Sequence, residues 1–347
     1  MSEALPATQV AATEGEEKSS GHGVPVLRYF VGKFSGAGLS LVMVVLLGFF
    51  AFRILPGDPV QAIARERGMT AEQMAELRHQ YGLDKSLTQQ FWDYLVALST
   101  GDLGDSYVYH RPVSALIAEY FWPTILLTGT AAVIAIALGL WLGQRAGWRH
   151  GSTFDRVTTG TSLVFWSVPT FWLGLILLLV FGGTLHWFPT GGMVSPALRD
   201  ATGLTRWLDI ASHLVLPVTT MVAVVYAQYV LVMRASLLEQ MGEDYLTTAR
   251  AKGLREDLVR RRHAVPNALL PTVTLVFMHL GGLIAGAVTV ESVYSWPGLG
   301  KLTFEAIKGP DLPLLQGTFV VFSAIIIVMN LVADLAYRFL DPRVRRA

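Results

Sequence analysis

The chain has 347 residues, 52% of them hydrophobic and only 15% charged, with a formal net charge of +1 and a mean hydropathy of +0.46. Soluble domains carry about 25% charged residues, so this composition excludes a soluble monomer, and it excludes disordered and collagen-like chains as well. The absence of cysteine removes thiolate nucleophiles, Cys-ligated zinc, iron–sulfur clusters and structural disulfides.

Residues 1–25 hold Glu14, Glu16 and Glu17 among small polar residues and no apolar run. They lack the basic start and apolar segment of a secretory signal and read as a disordered cytoplasmic tail. From there on the charges come in clusters. The windows free of Asp, Glu, Lys and Arg are Phe34–Phe52, Tyr120–Gln144, Val157–Leu198, Ile210–Met233, His263–Val290 and Leu312–Ala333. A helix crosses about 30 Å of hydrocarbon with about 20 residues. The third window is long enough for two crossings, but Phe188–Pro196 is rich in Pro and Gly and would strand backbone polar groups in lipid. The prediction is an all-α polytopic membrane protein in residues 26–347, with six transmembrane helices at about 34–55, 121–144, 157–182, 211–236, 268–291 and 315–338.

The long loop at 56–120 contains two predicted short helices. The first has Thr70 as its N-cap, Glu72 in its opening turn and Gly82 at its end. The second, Leu87–Leu98, carries Phe91, Tyr94, Leu95 and Leu98 on one stripe, suited to a membrane surface or to other helices. With the N-terminus inside, short connections hold 17 basic residues on the inner side and 4 on the outer. The positive-inside rule then assigns both termini to the cytoplasm and the 56–120 loop to the outer face.

Catalytic motifs are missing. Trp296–Leu302 contains a Gly-Lys pair, but Ser295 replaces the first glycine of a phosphate loop and Leu302 its hydroxyl. The eight histidines show no zinc-hydrolase spacing, and His279, deep in the fifth span, reads as a packed side chain. Glu291 and Asp334 lie just outside charge-free windows, and Asp334 has Arg338 one turn on, a spacing at which they can pair. A proton-coupled carrier or ion channel places ionisable groups near mid-membrane, and this chain does not. Gly139-x-x-x-Gly143 and Gly282-x-x-x-Gly286 suit close helix approach, within the chain or with a second membrane subunit.

The most polar inner stretch is 243–271. Asp244 leads, Arg250 and Lys252 follow, and Gly253 stands as a C-terminal cap. This predicts a short helix, a glycine break and a second basic helix on the inner face. Tyr245, Leu246 and Ala249 form an apolar patch that a partner could cover. The segment resembles the EAA loop of bacterial ABC importer permeases: Thr247-Thr248-Ala249, Gly253 and His263-Ala264-Val265-Pro266 stand at its spacing, with Thr replacing Glu and His replacing Ile. It is more similar still to the dipeptide, oligopeptide and nickel branch, the DppB/OppB-like permeases, through Asp244-Tyr245, Thr248-Ala249-Arg250-Ala251-Lys252-Gly253, Arg262-His263-Ala264 and Asn267-Ala268-Leu269. Leu55–Pro59, Gly101–Gly104 with Ser106-Tyr107, Pro169–Gly174, Glu291–Gly300 and Leu340–Arg343 resemble the same branch in order.

The resemblance implies a type I importer permease of MetI-like fold in the bacterial inner membrane. It would form half of a path for di- or oligopeptides, with nickel chelates or another small solute as the alternative substrates. The implied partners are a second homologous permease subunit, two cytoplasmic ATPase subunits that use ATP and Mg, an extracytoplasmic substrate-binding protein and membrane lipid, with no nucleic acid and no cofactor on this chain. Asp244, Tyr245, Thr247, Thr248, Ala249, Arg250, Ala251, Lys252 and Gly253 would be the coupling helix seated in an ATPase cleft. Trp296, Pro297 and Gly298 form a candidate outer gate, because Pro and Gly interrupt the helix there. The alternative, a stand-alone secondary carrier, predicts ion-driven uptake by this chain alone.

Overall fold

A computed structural model describes residues 26–54, 60, 61, 64, 68–309 and 311–340. The predicted tail, the Leu55–Pro59 motif and Asp341–Arg343 lie outside the described residues, as do the side chains of His279 and Arg338. Within them the chain is helical, with a single isolated bridge between Asp105 and Pro112. The elements are α1 (Val26–Ile54), α2 (Ala71–Gln80), α3 (Leu87–Ser99), α4 (Val113–Trp148), α5 (Thr153–Ser167), α6 (Thr170–Leu177), α7 (Gly203–Met241), α8 (Asp244–Ala251), α9 (Glu256–Val259), α10 (Val265–Val293), α11 (Leu299–Lys308) and α12 (Leu312–Leu340).

Helices α1, α4, α7 and α12 are long and apolar enough to cross a membrane. The 29 residues of α10 reach about 43 Å at 1.5 Å per residue. The third predicted span, 157–182, is not one straight helix. It is the pair α5 and α6, continued as a π-helical stretch over Leu178–Thr184 and bent by 99°. The cause is Pro169: the residue before a proline is pushed out of the helical region, and Val168 is extended (φ −79°, ψ 128°).

Lipid tails give helices no hydrophobic reason to associate, so close packing and hydrogen bonds must hold them. Small residues supply the first at the central α4–α7 pair. A Cβ on Gly139 would stand 2.5 Å from the Tyr229 Cβ, and one on Gly143 2.7 Å from the Val230 carbonyl oxygen. The Gly139/Gly143 pattern thus packs within the chain, whereas Gly282 has nothing within 4 Å among the described residues. Leu127, Ala131, Ala135, Tyr226, Ala227 and Val230 fill the seam. Hydrogen bonds supply the second: the Tyr294 hydroxyl donates to the Gly174 carbonyl (3.0 Å) and shares a bond with Thr220 (2.8 Å), joining α10, α6 and α7. Helix α7 is the most buried of the spanning helices, whereas α1 and α12 are largely exposed and lie against each other at the periphery. Lys33 of α1 pairs with Asp334 of α12 (2.7 Å), which ties the two helices together.

The loop helices form as their caps dictate. Thr70 and Gln73 make a reciprocal capping box on α2, and Gly82 follows its end at φ +63°. The stripe on α3 meets α1: Phe91 and Tyr94 stand 5.1 and 5.6 Å from the Phe49 ring. Asp311 fastens the rest of the loop to the start of α12, accepting from the Ser106 hydroxyl (2.5 Å) and the Val108 N–H (3.1 Å). Nearby the Tyr109 hydroxyl donates to Glu305 of α11 (2.7 Å). Burial, and then the Glu305 carboxylate, push the Tyr109 hydroxyl well above its ordinary range.

Candidate functional site

Helix α8 is built by its flanks. Helix α7 stops at Gly242, and the extended Glu243 (φ −81°, ψ 141°) turns the chain. Asp244 in the first turn and Arg250 in the last complement the helix dipole. The end is a Schellman motif, in which the Gly253 N–H donates to the Arg250 carbonyl (2.9 Å) and the Leu254 N–H to that of Ala249 (3.4 Å). Gly253 sits at φ +77°, in the left-handed region that a Cβ penalises. Beyond the break, the predicted second basic helix is not separate. One turn, α9, passes through a π-helical stretch, Arg260–Ala264, into α10. Pro266 stands just after this stretch, at the start of α10.

The apolar residues of α8 do not await a partner. Leu246 is 0% exposed and Ala249 5%, packed with Met233 and Leu237 of α7 and with Val259, Ala264 and Ala268. A two-turn helix is too short to persist alone, so its own chain must cover the stripe that sequence periodicity leaves open. Tyr245 donates to Gln240 (2.7 Å), Arg250 to Glu256 (2.9 Å), and Ser236 to the Ala268 carbonyl (2.9 Å). Helix α8 is therefore wedged between the C-terminal end of α7 and the N-terminal end of α10. Its outward face is polar: Asp244, Thr247, Thr248, Arg250, Ala251, Lys252 and Gly253 are exposed.

One residue pair that sequence reasoning missed extends the connection. Arg234 of α7 makes a bidentate contact with Asp155 of α5 (2.5 and 2.9 Å), whose side chain is 3% exposed. The Gly151 N–H donates to the same carboxylate (3.0 Å). The signal was available: Arg234 directly follows one charge-free window and Asp155 shortly precedes another.

At the other end, Trp296 is 0% exposed, its indole N–H donating to the Pro123 carbonyl (2.9 Å). Pro297 and Gly298 turn the chain around Glu291, which is also fully buried. Glu291 accepts from the Thr124 hydroxyl (2.7 Å) and from the Lys301 N–H (3.0 Å) in the first turn of α11, while Thr124 accepts from the Leu299 N–H (2.8 Å). Gly298 is required there, since a Cβ would meet the Glu291 carboxyl. In this arrangement the segment is a packed corner joining α4, α10 and α11. Among the described residues no cluster of His, Asp or Glu is arranged to hold a metal.

Residues 113–346 match the family described as binding-protein-dependent transport system inner membrane component, and residues 26–128 match its N-terminal companion family. The dipeptide transport system permease protein of Escherichia coli K12 is 36% identical over 324 residues, covering 88% of this chain and 95% of that one. The glutathione transport system permease protein of Pectobacterium atrosepticum is 37% identical over 321 residues, covering 92% and 99%. A di/tripeptide transport system permease protein of Pseudomonas aeruginosa is 36% identical over 317 residues, covering 87% and 94%. Among solved structures, an inward-facing form of the MetNI methionine ABC transporter superposes with a TM-score of 0.52 at 16% identity, covering 65% of this chain and 96% of that one; this likeness concerns the fold.

Proposed function

The chain belongs to the family of binding-protein-dependent transport system inner membrane components, and on that premise we propose that α8 is the surface through which ATP hydrolysis drives it. It is a multi-pass membrane protein of type I importer fold and the transmembrane subunit of a peptide ABC importer. The family works with a partner ATPase and a substrate-binding protein, and its permease subunits are not themselves enzymes. The wedged geometry of α8 carries the proposal: the helix offers a polar face outward and has Leu246 fully buried against the ends of α7 and α10. Movement of a docked ATPase would shift those ends as rigid bodies and alternate access to the path.

The rest of the assembly follows from this reading. A second homologous permease completes the path, two ATPase subunits bind ATP and Mg, and this chain carries no cofactor. Both termini face the cytoplasm, and dipeptides or short oligopeptides are the cargo. Proteoliposomes holding the purified complex and its binding protein test it. The expected result is uptake of a labelled dipeptide that requires ATP inside and is lost when 243–253 is replaced by a Gly-Ser linker. Uptake by this chain alone under an ion gradient would overturn it.

A further inference from the structure

A cavity of about 530 Å³ lies among the end of α1, helices α2 and α3, the Gly101–Tyr107 stretch and the start of α12. At about 30 Å³ per water it exceeds the space needed for a few bridging solvent molecules, and it lies in the range of small-ligand sites. Its walls are unusual in one respect. Arg53 Nε, Gln90 Oε1, Tyr94 OH and Gln316 Nε2 all line it, are buried, and have no hydrogen-bond partner among the described residues. Gln316 is 8% exposed. Buried polar groups are nearly always paired, and an unpaired one is unfavourable. Four on one cavity wall point to partners that a ligand supplies.

The orphaned atoms state what that ligand offers. Three can donate, the Arg53 N–H, the Gln316 amide and the Tyr94 hydroxyl, and one, the Gln90 carbonyl oxygen, can only accept. Gln90 is held in place by its own amide, which donates to the Lys85 carbonyl (2.8 Å). Lys85 is occupied by Asp93 (2.7 Å), whereas Arg53 makes no ion pair among the described residues and lies over the Phe49 ring at 5.5 Å. A guanidinium with neutral donors beside it matches a planar carboxylate. Asp102 and Asp105 also line the cavity and are exposed. With Asp93 they oppose a doubly charged phosphate but suit an ammonium group on the same molecule.

We propose that this cavity, on the outer side of the chain, binds the free carboxylate end of a small zwitterion, an amino acid or a short peptide. The choice of zwitterion rests on the peptide-import reading. The purified importer complex, without binding protein and without ATP, tests it by isothermal titration with dialanine, dialanine amide and inorganic phosphate. Dialanine is expected to bind saturably and the amide at least about tenfold more weakly, since it lacks the charge that Arg53 pairs; phosphate is expected not to bind. Arg53→Gln should weaken dialanine binding by a similar factor. Gln316→Glu, nearly isosteric, places a competing carboxylate in the cavity and should abolish binding with the unfolding temperature kept, which decides the matter if Arg53→Gln does not fold. Absent saturable binding, equal affinity for acid and amide, or unaltered binding by Gln316→Glu would overturn the site and leave only a water-filled cavity. Such failure leaves the import reading intact, because ATP-driven uptake is read separately.

Discussion

Thr124 shows how much a single hydroxyl holds together: it donates to Glu291 and accepts from the Leu299 N–H. Thr124→Val keeps the shape but leaves a buried carboxylate oxygen and a buried N–H short of a partner. Each omission costs roughly 1–3 kcal/mol, so a clear drop in unfolding temperature in detergent is expected, and an unchanged one would show that the corner tolerates the loss. Arg234 and Asp155 pose a similar test. Removing Arg234, itself partly exposed, leaves the nearly buried Asp155 carboxylate without its charge partner, so Arg234→Ala should destabilise more than Arg234→Ala with Asp155→Ala together; equal losses would mean that the pair is not coupled. The charges at the ends of the apolar windows are legible in the sequence, but their partners are not. Glu291 and Thr124 are separated by 167 positions, and Arg234 and Asp155 by 79, and no local periodicity reports such distances.

At the scale of elements, the seam between α4 and α7 depends on missing atoms. Gly143→Ala would force its Cβ against the Val230 carbonyl oxygen at 2.7 Å and the Met233 Cβ at 2.8 Å, so the helices must part and lose packing on both sides. Lower thermal stability is expected, with a weaker effect for Gly282→Ala, whose surroundings are open; equal effects would refute the close approach. For α8, Leu246→Ala removes a fully buried side chain at about 2–5 kcal/mol. It should uncouple ATP hydrolysis from uptake by loosening the wedge, which a parallel assay of phosphate release and peptide uptake would detect. Helix α8, its glycine cap and the spanning helices are readable because charge, caps and apolar windows are local signals. Two features were less accessible. The 99° bend between α5 and α6 was marked only by Pro169, and the covering of Leu246 and Ala249 depends on residues from α7 and α10.

The whole molecule presents two kinds of surface. Large apolar side chains stand exposed along α1, among them Phe34, Val42 and Leu47, and around the bend at Val164, Trp166 and Trp172; these need lipid or another apolar surface to cover them. The end of the molecule that carries α8 is charged. The absence of cysteine makes the central claim directly accessible to thiol chemistry. A single cysteine at Thr248, on the exposed face of α8, in the assembled importer and treated with a short thiol–amine cross-linker, is the most direct measurement. The account predicts a covalent adduct with the ATPase subunit and ATP-driven uptake arrested in proportion to it, while a cysteine at Ile307 on α11 gives neither. No ATPase adduct from position 248, with uptake unaffected by the reagent, would contradict the claim that α8 is where the ATPase drives this chain.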